Sequence, residues 1–313
     1  MYEKATQDTM YFIGVTTEKS SIMRVFPKWM EALGVDLKIR GINLPIHADP
    51  EAYREAVSFI KGDPKSKGAL VTTHKIDLYN AAHDLFDELG PYARSFSELS
   101  CISKSKDGEA LRGHAKDPIT CGMAMEEFIP ENYWKNHPDA EVMILGAGGS
   151  AISMCAYFLR KEFKGNQPKK ITVCNRSQPR LDSLRDICEE LGTGDVETAF
   201  VLTPNASDND RVLDRMPEGS LIVNATGLGK DRPGSPLSDL ACFPRNAIVW
   251  EINYRGELDF MHQAKRQQEE RGLLVEDGWM YFIYGWTQVI AEVIHREIRG
   301  ETLYKLSDIA SNL

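Results

Sequence analysis

Val142-Met143-Ile144-Leu145-Gly146-Ala147-Gly148-Gly149-Ser150-Ala151 is the stretch on which the fold turns. Its four leading apolar residues suit a strand buried on both faces, and the apolar run to about residue 159 suits a helix. Between them, Gly146 permits a tight turn and Gly148 lets the backbone approach a pyrophosphate. Ala151 is small enough for helix and strand to pack closely. The N–H groups at the helix start then offer an anion site. A glycine turn without a ligand is the bland alternative, and the strand–turn–helix setting weighs against it. Gly146, Ala147, Gly148, Gly149, Ser150 and Ala151 are therefore candidate dinucleotide contacts.

Downstream, residues 170–174, 221–225 and 247–252 are short apolar runs that continue a βαβ rhythm. After the first of these runs stand Asn175-Arg176-Ser177 and Arg180. An Asp or Glu there would accept from a ribose 2′-hydroxyl, whereas a guanidinium pairs with a 2′-phosphate. NADP is thus favoured over NAD, with a solvated helix start as the competing reading. Asn224-Ala225-Thr226 closes another strand in small residues that can approach the nicotinamide end; a plain turn fits these three residues nearly as well.

Upstream, residues 11–15, 37–44 and 69–73 read as strands, with helices at 25–33, 51–61 and 76–89. This alternation predicts a small α/β domain with parallel pairing. A polar, proline-flanked stretch at 130–139 precedes the glycine-loop strand, and residues 278–299 form a long apolar helical pattern. The expected organisation is 1–121 as a substrate domain, 122–276 as a doubly wound Rossmann domain, and 277–313 as helices packing back on the first domain.

With 313 residues, two cores are affordable in size. A net charge of −9 argues against nucleic acid as a partner, though not against a small anion in a local cationic pocket. The six cysteines show no metal-ligand spacing and read as buried reduced thiols, so no metal site is expected. The first fifteen residues are too polar for a secretory signal and no run reaches the ~18 apolar residues of a membrane span, which points to the cytoplasm and no membrane partner. Oligomeric state stays open, a homodimer included.

The order of these motifs resembles the shikimate dehydrogenase family from about Gly14 to Arg299. Besides the glycine loop, Asn175-Arg176-Ser177 and Val223-Asn224-Ala225-Thr226 carry the likeness. In the first half, Val71-Thr72-Thr73-His74-Lys75 is similar to the family's Asn-Val-Thr-x-Pro-x-Lys segment, one residue shorter. Gly113-His114-Ala115-Lys116-Asp117 is similar to its Gly-x-Asn-Thr-Asp segment. The resemblance implies a two-domain NADP-dependent oxidoreductase that interconverts a cyclic polyhydroxy acid and its keto form. Lys75 and Asp117 fall on the catalytic pair, and Ser20, Ser21, Thr72, Ser100, Ser103, Tyr254 and Gln288 on the substrate side. Each also has a plain reading: Lys75 as a strand-end surface lysine, Asp117 as a helix cap, and the hydroxyls as turn residues. His74 reads as a supporting residue on the opposite face from Lys75. Lys116 is free to pair with Asp117, to bind an anionic substrate or to stay solvated.

The departures gather on the substrate side. Leu70, Ala115 and Gly285 stand where the family has amides, and Ser20-Ser21-Ile22 lacks the family's proline. A hydroxyl that loses its amide partner loses roughly 1–3 kcal/mol of recognition. A ring acid other than shikimate, quinate included, is therefore as good an expectation as shikimate. The competing class is a paralogue that binds NADP(H) as a sensor or partner-binding module.

Overall fold

In the computed structural model, which describes residues 2–230 and 232–313, the chain forms two compact units. One comprises the residues up to Lys116 together with Gly285–Leu313; the other is Asp117–Tyr284. Among the described residues each holds one six-stranded sheet. The α/β class expected from the residue pattern is what the chain adopts.

The first unit begins β1 (Thr9–Gly14), α1 (Ile22–Leu33), β2 (Lys38–Asn43), α2 (Pro50–Gly62) and β3 (Ser66–Val71). β1 is buried throughout because β2 and β3 flank it in parallel. α1 buries Ile22, Val25, Phe26, Trp29, Met30 and Leu33, a helical stripe that ends where Gly34 turns left-handed at φ 67°. α2 starts on Pro50, after the Asp49 carboxylate has accepted the Glu51 N–H at 2.9 Å.

Here the structure corrects two expectations. The helix expected over 76–89 stops early: α3 is Lys75–Ala82, followed by a 3₁₀ turn and the short strand β4 (Glu88–Leu89). Tertiary partners outweigh helix propensity there. Arg54 grips Asp84 with two hydrogen bonds of 2.6 and 2.9 Å, and the Asp87 carboxylate accepts from the Leu111 N–H at 2.7 Å. The sheet is also mixed rather than all parallel. After α4 (Pro91–Phe96), β5 (Cys101–Lys104) runs antiparallel to β3 and to β6 (Leu111–His114). A Cβ at Gly68 would meet the Ile102 carbonyl oxygen at 2.1 Å, so β3 and β5 approach closely only because residue 68 is glycine.

The second unit opens with α5 (Asp117–Glu126) and the short α6 (Tyr133–Asn136). The doubly wound part follows as β7 (Val142–Leu145), α7 (Gly149–Phe158), β8 (Lys170–Asn175), α8 (Gln178–Leu191), β9 (Glu197–Leu202), α9 (Ala206–Leu213), β10 (Leu221–Asn224), β11 (Ile248–Glu251), α10 (Asp259–Arg271) and β12 (Leu274–Glu276). Every pairing is parallel, in the order β9-β8-β7-β10-β11-β12. This is the Rossmann order, with its switch point between β7 and β10.

The helix expected over 278–299 stops early, and the next helix begins only beyond that stretch. α11 (Trp279–Val293) ends before His295 turns left-handed at φ 52°, and α12 (Gly300–Ser311) follows. The break is held by Gln288, whose Nε2 donates to the Ile298 carbonyl at 3.0 Å, and by Arg296 donating to the Leu33 carbonyl at 2.8 Å. α12 packs on α1, where Trp29 Nε1 donates to the Leu306 carbonyl at 2.7 Å. Among the described residues no helix is long and apolar enough to cross a membrane.

Candidate functional site

At the switch point of the second unit the carboxyl ends of β7, β8, β9 and β10 open on a cavity of about 720 Å³. Gly146, Ala147, Gly148, Asn175, Arg176, Ser177, Arg180, Ala225 and Thr226, all anticipated from the sequence, line it. Gly146 sits at φ 113°, and a Cβ there would strike the Ala225 carbonyl oxygen at 2.6 Å. That clash explains why the β7 turn needs glycine. A Cβ at Gly148 would meet nothing within 4 Å, so the backbone there is open toward the cavity. Gly149 starts α7 and Ala151 is fully buried behind the turn, while Ser150 Oγ lies 3.3 Å from the Tyr281 hydroxyl.

Sequence reading missed the opposite wall: Thr203, Pro204, Asn205, Ala206 and Asn209 after β9, and Arg232, Ser235 and Pro236 beyond β10. β9 is a half-exposed edge-like strand without a clean apolar alternation, which hid it. Asn205 and Asp208, a capping box at the start of α9, were the available signal.

Asn175 Nδ2, Thr203 Oγ1 and Asn209 Oδ1 are buried and have no hydrogen-bond partner among the described residues, and all three residues line this cavity. Buried polar atoms are ordinarily satisfied, so a polar ligand fits this wall. Arg176, Arg180 and Arg232 supply the positive charge that a phosphorylated nucleotide requires. The residues present therefore fit NADP.

Asn224 does not line the cavity; it ties the loop that does. Its Oδ1 accepts from the Thr226 N–H at 3.1 Å and from the Thr226 hydroxyl at 2.7 Å. Its Nδ2 donates to Glu251 Oε2 at 2.7 Å. Glu251 is fully buried, and burial pushes its carboxyl up to about 7. Tyr254 stacks on Phe282 with ring centroids 4.5 Å apart, and Lys230 lies 5.9 Å from its ring centre.

In the first unit, Lys75 opens α3 and is half-buried. Thr73, two residues earlier, holds φ 67°, a left-handed conformation that a β-branched residue adopts only under constraint. His74 is at the helix cap rather than on a strand, so strand alternation does not set its direction. Its buried ring has Nδ1 3.1 Å from the Tyr53 hydroxyl, and burial pulls its pKa down. Thr72 is half-buried, its N–H donating to the Ile13 carbonyl at 3.0 Å. Ser20 and Ser21 lead into α1, half-buried, and Ser21 makes no side-chain cap bond.

Ser100, Ser103 and Lys116 join a polar cluster not foreseen from the sequence. Lys116 Nζ donates to Glu292 Oε2 at 2.6 Å, and its N–H donates to Ser100 Oγ at 2.8 Å. His114 Nε2 lies 3.5 Å from Glu292 Oε1 and 3.4 Å from Ser103 Oγ. Burial alone would raise the Glu292 carboxyl, but the hydrogen bond and charge of Lys116, with His114 beside it, hold it below its ordinary value. His114 itself is pulled down by burial. Leu70 and Ala115 are buried and apolar, and a Cβ at Gly285 would meet nothing within 4 Å. Lys116, Gln288 and Glu292 line a shallow cavity of about 240 Å³. In the second unit, Asp117 is the first residue of α5.

No family model matches the chain. It is 30% identical over 193 residues to the shikimate dehydrogenase (NADP(+)) of Lactococcus lactis, and the alignment spans only 62% of that enzyme's length. With the enzyme of the same name from Rhodopseudomonas palustris it is 30% identical over 307 residues, covering 96% of this chain and 91% of that one. The chain belongs to the shikimate dehydrogenase family. Its fold also follows that of shikimate 5-dehydrogenase from Listeria monocytogenes, solved with shikimate and NAD. The TM-score is 0.74 at 17% identity, covering 99% of this chain and 98% of that one, a likeness of fold alone.

Proposed function

We propose that this family member is an NADP-dependent dehydrogenase that interconverts a cyclic polyhydroxy acid and its keto form. The observation that carries the reading is the switch-point cavity, lined together by Arg176, Arg180 and three residues with buried polar atoms that have no partner among the described residues. When bound, the nicotinamide cofactor supplies or accepts the hydride at the alcohol carbon. Gly146 and Gly148 let the main chain approach the pyrophosphate, and the N–H groups opening α7 hold its charge. Arg176 and Arg180 hold the 2′-phosphate.

Lys75 moves the proton at the substrate oxygen, giving it up as the ketone is reduced and taking it back in oxidation. Asp117 is assigned as the second member of the catalytic pair. Ser20, Ser21 and Tyr254 are assigned to the carboxylate, Thr72 and Gln288 to ring hydroxyls. Ser100 and Ser103 are engaged with Lys116 and His114, so they act on substrate through that cluster. Leu70, Ala115 and Gly285 offer no amide to a hydroxyl, which favours quinate or another substituted ring acid over shikimate.

The test is NADP reduction by the wild-type protein with shikimate, quinate and amino- or alkyl-substituted ring acids. Turnover of at least one acid, dependent on its carboxylate, is the expected result. Tight NADPH binding with no turnover across the panel would instead favour an NADP(H)-binding sensor or partner-binding module.

A further inference from the structure

Glu251 ends β11 directly beside Asn224, the last residue of β10, and no part of it reaches solvent. Its carboxylate takes three N–H donors: Asn224 Nδ2 at 2.7 Å on one oxygen, and Asn253 N at 2.9 Å with Asn253 Nδ2 at 2.6 Å on the other. Both amide groups are also 3.3 Å from the Leu228 carbonyl oxygen. The orientation of Asn224 matters because its two ends do different work. With Nδ2 toward Glu251, Oδ1 must face Thr226 and receive both its N–H and its hydroxyl. Thr226 Oγ1 in turn accepts the Leu228 N–H at 3.1 Å. Ala225, Thr226, Gly227 and Leu228 form one wall of the nucleotide cavity, so that wall is oriented by a carboxylate behind it.

We propose that ionised Glu251 is a positioning residue for cofactor binding: it orients Asn224, which sets the 225–228 wall, and protonation of Glu251 loosens that wall and weakens NADPH binding. The inference rests on the cofactor reading given above. Three donors suit an acceptor-only group, and a protonated carboxyl keeps one full acceptor oxygen while the other becomes a donor. The one neighbouring charge among the described residues that moves it, Asp277, pushes the same way as burial. Glu276 lies on the adjacent strand and Asp277 follows it, and Asp277 adds to the rise of the Glu251 carboxyl to about 7. Arg255, in the loop after β11, is exposed, and Lys230 is over the Tyr254 ring.

Cofactor binding that needs the ionised form is full above about 7 and weakens as pH falls through it. Between about pH 8 and about pH 6 the dissociation constant for NADPH should rise roughly tenfold from this group.

The test is a fluorescence titration of the apo protein with NADPH across that range, for wild type, Glu251→Gln and Glu251→Asp, with thermal unfolding of each apo protein alongside. The 2′-phosphate has its own ionisation near 6, which all three share, so the differences between variants isolate Glu251. Glu251→Gln keeps the shape but puts a donor against donors. It should bind NADPH about tenfold more weakly than wild type near pH 8 and show only the shared phosphate dependence, with unfolding still cooperative. Glu251→Asp should restore part of the pH dependence. Wild type and Glu251→Gln with identical pH profiles overturn the inference while leaving the cofactor reading intact. Absence of NADPH binding by wild type at any pH overturns both.

Discussion

Glu251 and Glu292 are both drawn out of water, one in each unit, yet their carboxyls move in opposite directions. Glu251 is held by amide N–H groups alone, and burial takes it up to about 7. Glu292 has the Lys116 ammonium at 2.6 Å, and the ion pair takes it below the ordinary range in spite of burial. Burial disfavours charge in both places; a cation reverses the result in one. The same contrast runs through the units that hold them. The nucleotide half uses neutral backbone and amide groups at a Rossmann switch point, with arginines at the cavity. The other half has a charged cluster of Lys116, Glu292 and His114, with Leu70, Ala115 and Gly285 bringing no amide to it.

The largest effect is expected from the residue assigned to proton movement. Lys75→Ala should lower turnover ~10²–10⁴-fold while leaving the NADPH dissociation constant within about twofold of wild type. Retention of most of the turnover would remove Lys75 from the chemistry and leave the constraint at Thr73 without a functional reason.

Lys116→Met sharpens the contrast between the two glutamates, because it leaves Glu292 half-buried without its cation. Glu292 is held below its ordinary value in the folded protein, so its contribution is present above the unfolded carboxylate value and is lost as pH falls through the folded one. The variant should therefore lose ~1–3 kcal/mol at about pH 7.5 and less at about pH 4, below the unfolded carboxylate value. Urea unfolding at the two pH values measures this, and equal stability of variant and wild type at both would mean the pair contributes nothing.

A smaller effect concerns the substrate. Shikimate should be at least about tenfold less efficient than the best acid of the panel, or ~1.4 kcal/mol in transition-state binding. Shikimate as the best substrate would show that groups such as Gln288 do the work of the missing amides.

What the residues disclosed in advance follows the same division. The glycine loop, the arginines after β8 and the small residues after β10 are local signals, and each lies where its sequence neighbours imply. The wall after β9 was hidden because its residues carry no motif and reach the cavity only through sheet order. The ion pair of Lys116 with Glu292, in the last turn of α11, spans 176 residues, which no local pattern states. Asp84 and Asp87 likewise ended the predicted 76–89 helix through partners at Arg54, Lys61 and Leu111. Propensity gave way wherever a distant partner was stronger.

The most direct measurement is a paired titration of the wild-type protein with NADPH and NADH, repeated with Arg176→Ala. NADPH should bind at least about tenfold more tightly than NADH. The variant should lose on the order of 1.5–3 kcal/mol of NADPH binding with little change for NADH, as expected for a guanidinium paired with a phosphate. Equal affinity for the two cofactors in the wild type, or an unchanged preference in the variant, would contradict the reading of Asn175-Arg176-Ser177 and Arg180 as the site that selects NADP.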